Sequence, residues 1–237
     1  MTERSVQILE AAIQEFIAAG EPVSSGLLYE KYEFGIKPAM IRLELDELEA
    51  QGYLVQPHHS AGRVPTNAGY EFFASRMFEN AVREAEERAR KSAARAASLR
   101  ELLEERAWPD LLTRLSAELG LLSVVADCAR EEVYKAGLQA LVTQLDWQDR
   151  DGIRSVIRDF EEVDERVSAA APEVGRLGLG PHVFIGRKSP VTKSDALSVV
   201  GGNYDAGDGV TVSIFAIGPK RMDYKKGRTR GIRPAYL

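Results

Sequence analysis

The chain is poor in the residues that usually carry catalysis or metal binding. Among 237 residues it has one cysteine, Cys128, and three histidines. A single cysteine gives no disulfide framework and fits a reducing compartment, and its ordinary place is inside, as a small hydrophobe. His58 and His59 are adjacent, but no Cys, Asp or Glu completes a ligand set around them at metal-site spacing, and His182 is far along the chain, so no metal is expected. Cys128 and His182 sit in no local motif that would pair a nucleophile with a base, so no enzyme is expected and no cofactor is implied. No apolar stretch approaches the roughly 20 residues of a membrane span, and the amino terminus carries no apolar signal region. The expected location is cytoplasmic, with no membrane partner. Gly201 and Gly202 lie inside a strand pattern rather than at the start of a helix, which argues against a phosphate cradle and predicts a bulge.

What is present is an ordinary globular composition, 44% apolar and 28% charged, at a length that suits two domains. The net charge is −5 but unevenly spread. Residues 1–80 carry six Lys/Arg against twelve Asp/Glu, whereas residues 219–237 carry seven basic residues against Asp223 alone. The basic end is the stretch suited to phosphate attraction.

Three short amphipathic helices open the chain. Val6, Leu9, Ile13, Phe16 and Ile17 recur at helical spacing, with Gly20 placed as a C-terminal cap. Ser24 or Ser25 caps a second helix holding Leu27 and Leu28. Pro38 sits at the first position of a third, which buries Ile41, Leu45 and Leu48 and ends at Gly52. Next come a short apolar strand, a polar turn carrying Arg63, a return through Val64-Pro65 and a helix start at Thr66-Asn67. This succession predicts a winged helix-turn-helix, a fold that places its third helix in a DNA major groove. The exposed face of that helix holds Lys37, Ala39, Met40, Arg42, Leu43, Glu44 and Glu47. Arg42 is suited to a bidentate pair with guanine, its alternative being a surface pair with Asp46. Arg63 at the turn is suited to a minor groove or a phosphate, its alternative being a solvated turn residue. His58, His59 and Ser60 with Lys37 suit backbone positioning. Thr66 completes the candidate set.

From Thr66 to about Arg106 one long helix is expected. It begins with a stripe of Tyr70, Phe73 and Met77, and continues into a weak heptad seam of Phe78, Val82, Ala85, Ala89, Ser92, Ala96, Leu99 and Leu103, suited to a helix–helix or dimer contact or to a plain connector. Residues 110–171 read as helical, with apolar faces at Leu111, Leu112, Leu115, Leu119 and Leu122, over Val133 to Leu145, and at Ile153, Val156, Ile157, Phe160 and Val163. Pro172 and the glycines at 175, 178 and 180 mark a change to strands. Three are expected, at 182–186, 197–200 and 210–217, the last two joined by a hairpin loop at 205–209. The segment from Gly218 to Tyr224 reads as a tight turn whose Met222 and Tyr224 pack on the sheet, with a small-ligand pocket as the alternative.

Several of these stretches resemble the heat-inducible transcription repressor HrcA family. They are Glu21-Pro22-Val23-Ser24-Ser25, the Ala39–Arg42 segment, Leu48-Glu49-Ala50-Gln51-Gly52 and the run from Gln56 to Thr66. In the second half they are Tyr134-Lys135-Ala136-Gly137-Leu138, the Asp195–Val200 segment and the run from Ile217 to Tyr224. The resemblance covers about 1–80 and 110–226. It implies a dimeric repressor of chaperone genes that binds an inverted-repeat operator in double-stranded DNA, with the chaperonin as a further partner. It also implies an α+β protein: a winged helix-turn-helix over 1–80, a connecting helix over 81–109, a reduced GAF-like dimerisation and sensor domain with an antiparallel sheet over 110–226, and a basic tail over 227–237.

Two departures stand out. The chain is about a hundred residues shorter than the family pattern, with the gap near Asp127 to Glu132, so much of an inserted dimerisation domain is expected to be missing. In addition, the family's recognition helix usually reads Ala-Thr-Ile-Arg-Asn where this chain has Ala39-Met40-Ile41-Arg42-Leu43. A hydroxyl and an amide are thereby replaced by apolar groups, which suit thymine methyls better than hydrogen-bonding base edges. This change, with the acidity of residues 1–80, keeps a second reading open, a protein-binding regulator that has lost DNA readout.

Overall fold

The computed structural model describes residues 1–59, 61–89, 93–145, 150–176, 178, 180–207 and 209–222, and these divide into two units, Met1–Arg76 and Met77–Leu237. The boundary falls inside a helix.

The first unit opens with α1 (Glu3–Ala19), which starts where the Thr2 hydroxyl accepts the Ser5 N–H and stops at Gly20, whose φ of 76° is left-handed. Then come α2 (Ser25–Lys31), capped by the Ser24 hydroxyl, and α3 (Pro38–Ala50), with proline in its first turn. Strands β1 (Leu54–Val55) and β2 (Val64–Pro65) form a short antiparallel pair, and α4 (Asn67–Ala89) begins directly after it. Ile8, Leu9 and Ile13 of α1, Leu28, and Ile41, Leu45 and Leu48 of α3 are buried, as the helical spacing requires, and Tyr70, Phe73 and Met77 are buried on α4.

Polar side chains tie these helices together. The Lys31 ammonium and the Tyr32 hydroxyl both donate to the Glu15 carboxylate, at 2.6 and 2.9 Å. Its pKa is lowered, chiefly by the Lys31 hydrogen bond. Burial, reinforced by the Glu15 contact, pushes the Tyr32 phenol up to about 12. A phenol with a raised folded pKa contributes stability that is complete below its unfolded value near 10 and is lost as pH rises through the folded one. A difference absorbance titration of wild type against Tyr32→Phe should therefore show the missing phenolate appearing near pH 12; ionisation near 10 would contradict the buried contact.

The single helix expected from Thr66 to about Arg106 is described as α4 and α5 (Ala93–Glu104), with residues 90–92 outside the described set. Most of the expected heptad seam, Phe78, Val82, Ala85, Ala89, Ser92 and Ala96, also falls on side chains outside it. Leu99 and Leu103 are described, and both pack into a core cluster of the second unit, so this end of the stripe is intramolecular.

The second unit is built on a five-stranded antiparallel sheet in the order β4-β3-β7-β6-β5. Its strands are β3 (Leu122–Asp127), β4 (Glu132–Ala136), β5 (Gly180–Ile185), β6 (Leu197–Asp205) and β7 (Thr211–Pro219). On one face, α6 (Trp108–Leu119) contributes Trp108, Leu111, Leu112 and Leu115 to a cluster with Val125, Tyr204, Val212 and Ile214. On the other, α8 (Arg150–Gly175) contributes Val156, Val163, Val167, Ala170 and Val174 to a cluster with Leu122, Val124, Val199, Phe215 and Ile217. The short α7 (Leu138–Val142) adds Leu141. The α+β class with an antiparallel sheet is thus the one the sequence led us to expect.

Four expectations are corrected. Residues 122–136, read as helical, form the β3–β4 hairpin. Every residue of β3 is buried because a central strand is covered on both faces, and such an unbroken apolar run has no period to distinguish it from a buried helix. Within the expected boundary, Pro172 does not end the helix, which continues to Gly175, the first of the three glycines. Gly201 and Gly202 mark no bulge: the pairing runs without a break from Leu197↔Pro219 to Asp205↔Thr211. A Cβ at Gly202 would collide with the Gly180 carbonyl, and one at Gly201 with the Phe215 ring, so these glycines serve close approach. Cys128 is exposed, in the β3–β4 turn.

That turn is the place where part of an inserted domain was expected to be missing. Asp127 and Glu132 pair directly, closing the sheet across the gap. The Asp127 carboxylate is fully buried and accepts the N–H groups of Ala129 and Arg130 and, at 3.2 Å, the Trp108 indole N–H. Further along, Met222 is buried and its sulfur lies close over Gly218, as expected of the 218–224 turn, while Tyr224 lies outside the described residues. Among the described residues no helix is long and apolar enough to cross a membrane.

Candidate nucleic-acid interface

The expected site residues belong to two adjoining pieces of the first unit. Lys37, Ala39, Met40, Arg42 and Leu43 lie exposed along the amino-terminal half of α3. Met40 is 49% and Leu43 59% exposed, so two apolar side chains stand in solvent on this face. His58 and His59 are exposed in the loop between β1 and β2, and Ser60 lies outside the described residues.

Between α3, that loop and the segment before α2 is a cleft of about 230 Å³, lined by Ser24, Ser25, Arg42, Gln56, His59 and Arg63 among others. The structure thus brings Arg42 and His59 to one depression, although seventeen residues separate them in the chain.

Arg63 departs from expectation. Instead of projecting from the loop tip, it turns inward, and its side chain is only 11% exposed. One terminal nitrogen pairs with Asp46, and Nε lies 2.8 Å from Glu49 Oε2, so both partners come from α3. Its backbone forms an antiparallel bridge with Val23, exchanging N–H···O bonds of 2.8 and 2.9 Å. A guanidinium set beside two carboxylates one helical turn apart gains more from them than from water.

The same contact alters the reading of Arg42. Asp46, its expected surface partner, is taken by Arg63, and among the described residues neither Arg42 nor Lys37 has an ion-pair partner. Three of the acids on α3 are engaged internally. Glu44 accepts the Ser5 hydroxyl at 2.7 Å and lies near Arg4, while Asp46 and Glu49 hold Arg63. The acidity of residues 1–80 is therefore partly neutralised where α3 meets the loop, leaving cationic side chains at its exposed edge.

Thr66 is likewise a structural residue. Its hydroxyl donates to the Gly52 carbonyl at 2.6 Å and accepts the Gly69 N–H at 3.2 Å, joining the end of β2 to the start of α4. Two residues that sequence reasoning did not single out shape the loop. Gln56 anchors it as a donor: its backbone N–H goes to Glu49 Oε1 at 2.8 Å, and its amide donates to the carbonyls of His59 and Ala61 at 3.1 and 2.8 Å. At Gly62 a Cβ would collide with the backbone carbonyl of Val23, so only glycine permits the loop to approach so closely. A polar strand end and a loop glycine are common features, and nothing in their spacing announced these roles.

A family model described as the HrcA protein C-terminal domain matches residues 69–227. The heat-inducible transcription repressor HrcA of Clostridium perfringens (strain SM101 / Type A) is 48% identical over 77 residues, 32% of this chain and 23% of that protein. The protein of the same description from Roseiflexus sp. (strain RS-1) is 49% identical over 79 residues, 33% and 22% of the two chains. The aligned stretch thus spans less than a quarter of the length of these curated relatives. The fold itself is similar to a crystal structure of a hypothetical protein at 2.2 Å resolution, with a TM-score of 0.69 and 17% identity over 95% of this chain and 94% of that one.

Proposed function

This chain belongs to the HrcA family, and on that premise we propose that it is a transcriptional repressor that binds DNA through its first unit. The three helices and the β1–β2 pair serve as a winged helix-turn-helix, with α3 as the recognition helix and the loop between the strands as the wing. The second unit serves as the reduced GAF-like domain that sets dimer geometry, since one module contacts few base pairs and an inverted repeat needs two on a two-fold axis. Chaperone genes as targets, a chaperonin as partner and a cytoplasmic setting belong to the same reading and rest on the sequence resemblance to the family. The observation that carries the reading is the charge arrangement at α3: three of its four acids are engaged internally, while among the described residues Arg42 and Lys37 have no ion-pair partner at the exposed edge, where Glu47 also lies.

Within this interface Met40 and Leu43 meet thymine methyls, Ala39 allows close approach, Arg42 reads a base edge, and Lys37, His58, His59 and Ser60 hold phosphates. Arg42→Ala should cost about 1–3 kcal/mol of discrimination at the base it reads, while affinity for scrambled DNA falls much less. The test is fluorescence anisotropy, using a duplex that the protein enriches from a random-sequence pool and a scrambled control. Equal losses on both would remove Arg42 from sequence readout.

The exposed Met40 and Leu43, in a unit with eleven acids against six bases, favour one competing reading. In it the same face binds a protein and not DNA. Failure to enrich any duplex, together with a stable complex with a chaperonin, would establish that reading instead.

A further inference from the structure

We infer that Arg63, Asp46 and Glu49 form a clamp that fixes the wing to the recognition helix, so that Arg63 is a positioning residue and not a DNA ligand. The inference rests on the DNA-binding reading above.

Three independent attachments meet at this point. The Arg63 guanidinium joins the loop to α3 through Asp46 and Glu49. The backbone bridge with Val23 joins the same residue to the segment leading into α2. Glu49 takes a second role by accepting the Gln56 N–H, and the Gln56 amide in turn holds the carbonyls of His59 and Ala61. A single carboxylate on α3 therefore controls both ends of the loop. The Arg63 side chain is the most enclosed of the three, at 11% exposure against 45% for Asp46 and 32% for Glu49. A cation meant to meet phosphate would show the opposite order, since it would be aimed outward and its acids would lie behind it.

The consequence is geometric. With one terminal nitrogen hydrogen-bonded to Asp46 and Nε in ion-pair contact with Glu49, a planar guanidinium restricts both the distance and the angle of the wing more than a single-point ammonium would. The cleft that brings His59 to Arg42 is then preformed, and the α3 and wing contacts engage DNA as one body.

Two opposite outcomes separate the clamp from a DNA contact. In Asp46→Asn/Glu49→Gln, simple charge counting removes two negative charges from the interface and predicts tighter binding to every duplex. The clamp predicts the reverse for the enriched duplex: affinity about tenfold weaker, a loss of about 1.4 kcal/mol, with binding to scrambled DNA unchanged or slightly stronger. Arg63→Lys, which keeps the charge but loses the fork, should show the same loss on the enriched duplex. Hydrogen exchange of the free protein provides a second measurement, with amides 56–63 expected to exchange faster in both variants while α1 and α3 stay protected. The idea is overturned if the double variant binds both duplexes more tightly with a salt slope steeper by about one phosphate contact per module, which would mean that Arg63 had been freed to reach DNA. Unchanged binding with unchanged exchange would overturn it as well. Failure of the wild-type protein to enrich any duplex refutes the DNA reading instead, and exchange at 56–63 still tests the clamp.

Discussion

Replacing Trp108 by alanine is expected to lower the stability of the second unit by about 3–5 kcal/mol, the range for a fully buried aromatic. The side chain is 1% exposed and packs among Leu111, Leu112, Leu115, Val125 and Ile214, where α6 meets the sheet. Its loss leaves a cavity that neighbours fixed in a sheet cannot close. It also removes the indole N–H from the fully buried Asp127 carboxylate, whose remaining donors are two backbone N–H groups in the hairpin turn, with Arg130 nearby at 3.9 Å. Trp108→Phe separates the two effects. It keeps most of the packing and loses only the donor, at a cost of about 1–3 kcal/mol. Chemical denaturation of both variants decides the matter. If phenylalanine costs as much as alanine, the hydrogen bond and not the packing secures the hairpin; if neither costs more than about 1 kcal/mol, the placement of Trp108 in the core is wrong. The hairpin matters because it closes the sheet where part of an inserted domain was expected to be missing.

Gly62→Ala is expected to remove most of the sequence preference in DNA binding, by about tenfold to a hundredfold, while the protein remains folded. The added methyl would enter the backbone of Val23 rather than a movable side chain, so the loop must withdraw. Withdrawal breaks the Val23–Arg63 bridge and draws Arg63 away from Asp46 and Glu49. The strain is local, about 1–3 kcal/mol, because the buried core of α1, α3 and α4 is elsewhere. The measurement is anisotropy on enriched and scrambled duplexes, with thermal unfolding as the control for folding. Full retention of preference would show that the wing does not contribute to it. Loss of folding would show that the loop is part of the core.

Much of the first unit was legible in the chain because its signals are local. A glycine able to adopt left-handed φ ended α1, a serine hydroxyl capped α2, and a proline opened α3, each acting within one turn of its own position. The strands 180–185, 197–205 and 211–219 were visible for the same reason, being bounded by glycine and proline and joined by a glycine-containing loop. β3 and β4 were not, because burial on both faces erases the alternation that marks a strand, and only pairing with β7 shows which kind of element the apolar run is.

The candidate interface divides along the same line. The order of residues by itself determined which side chains α3 exposes, since a helix of known start and three buried positions, Ile41, Leu45 and Leu48, fixes its opposite face. Sequence could not assign partners. Asp46 stands four residues from Arg42, the favourable helical spacing, yet it pairs with Arg63 seventeen residues away, because a β-turn loop held by Val23 and Gln56 delivers a second guanidinium to it. Ion pairs between segments depend on how the chain returns on itself, and that return is set by a glycine with no room for a Cβ and a glutamine anchored to α3. Local chemistry fixed the helices, their caps and their exposed faces; the tertiary structure alone decided which of the two arginines pairs with the acids of α3.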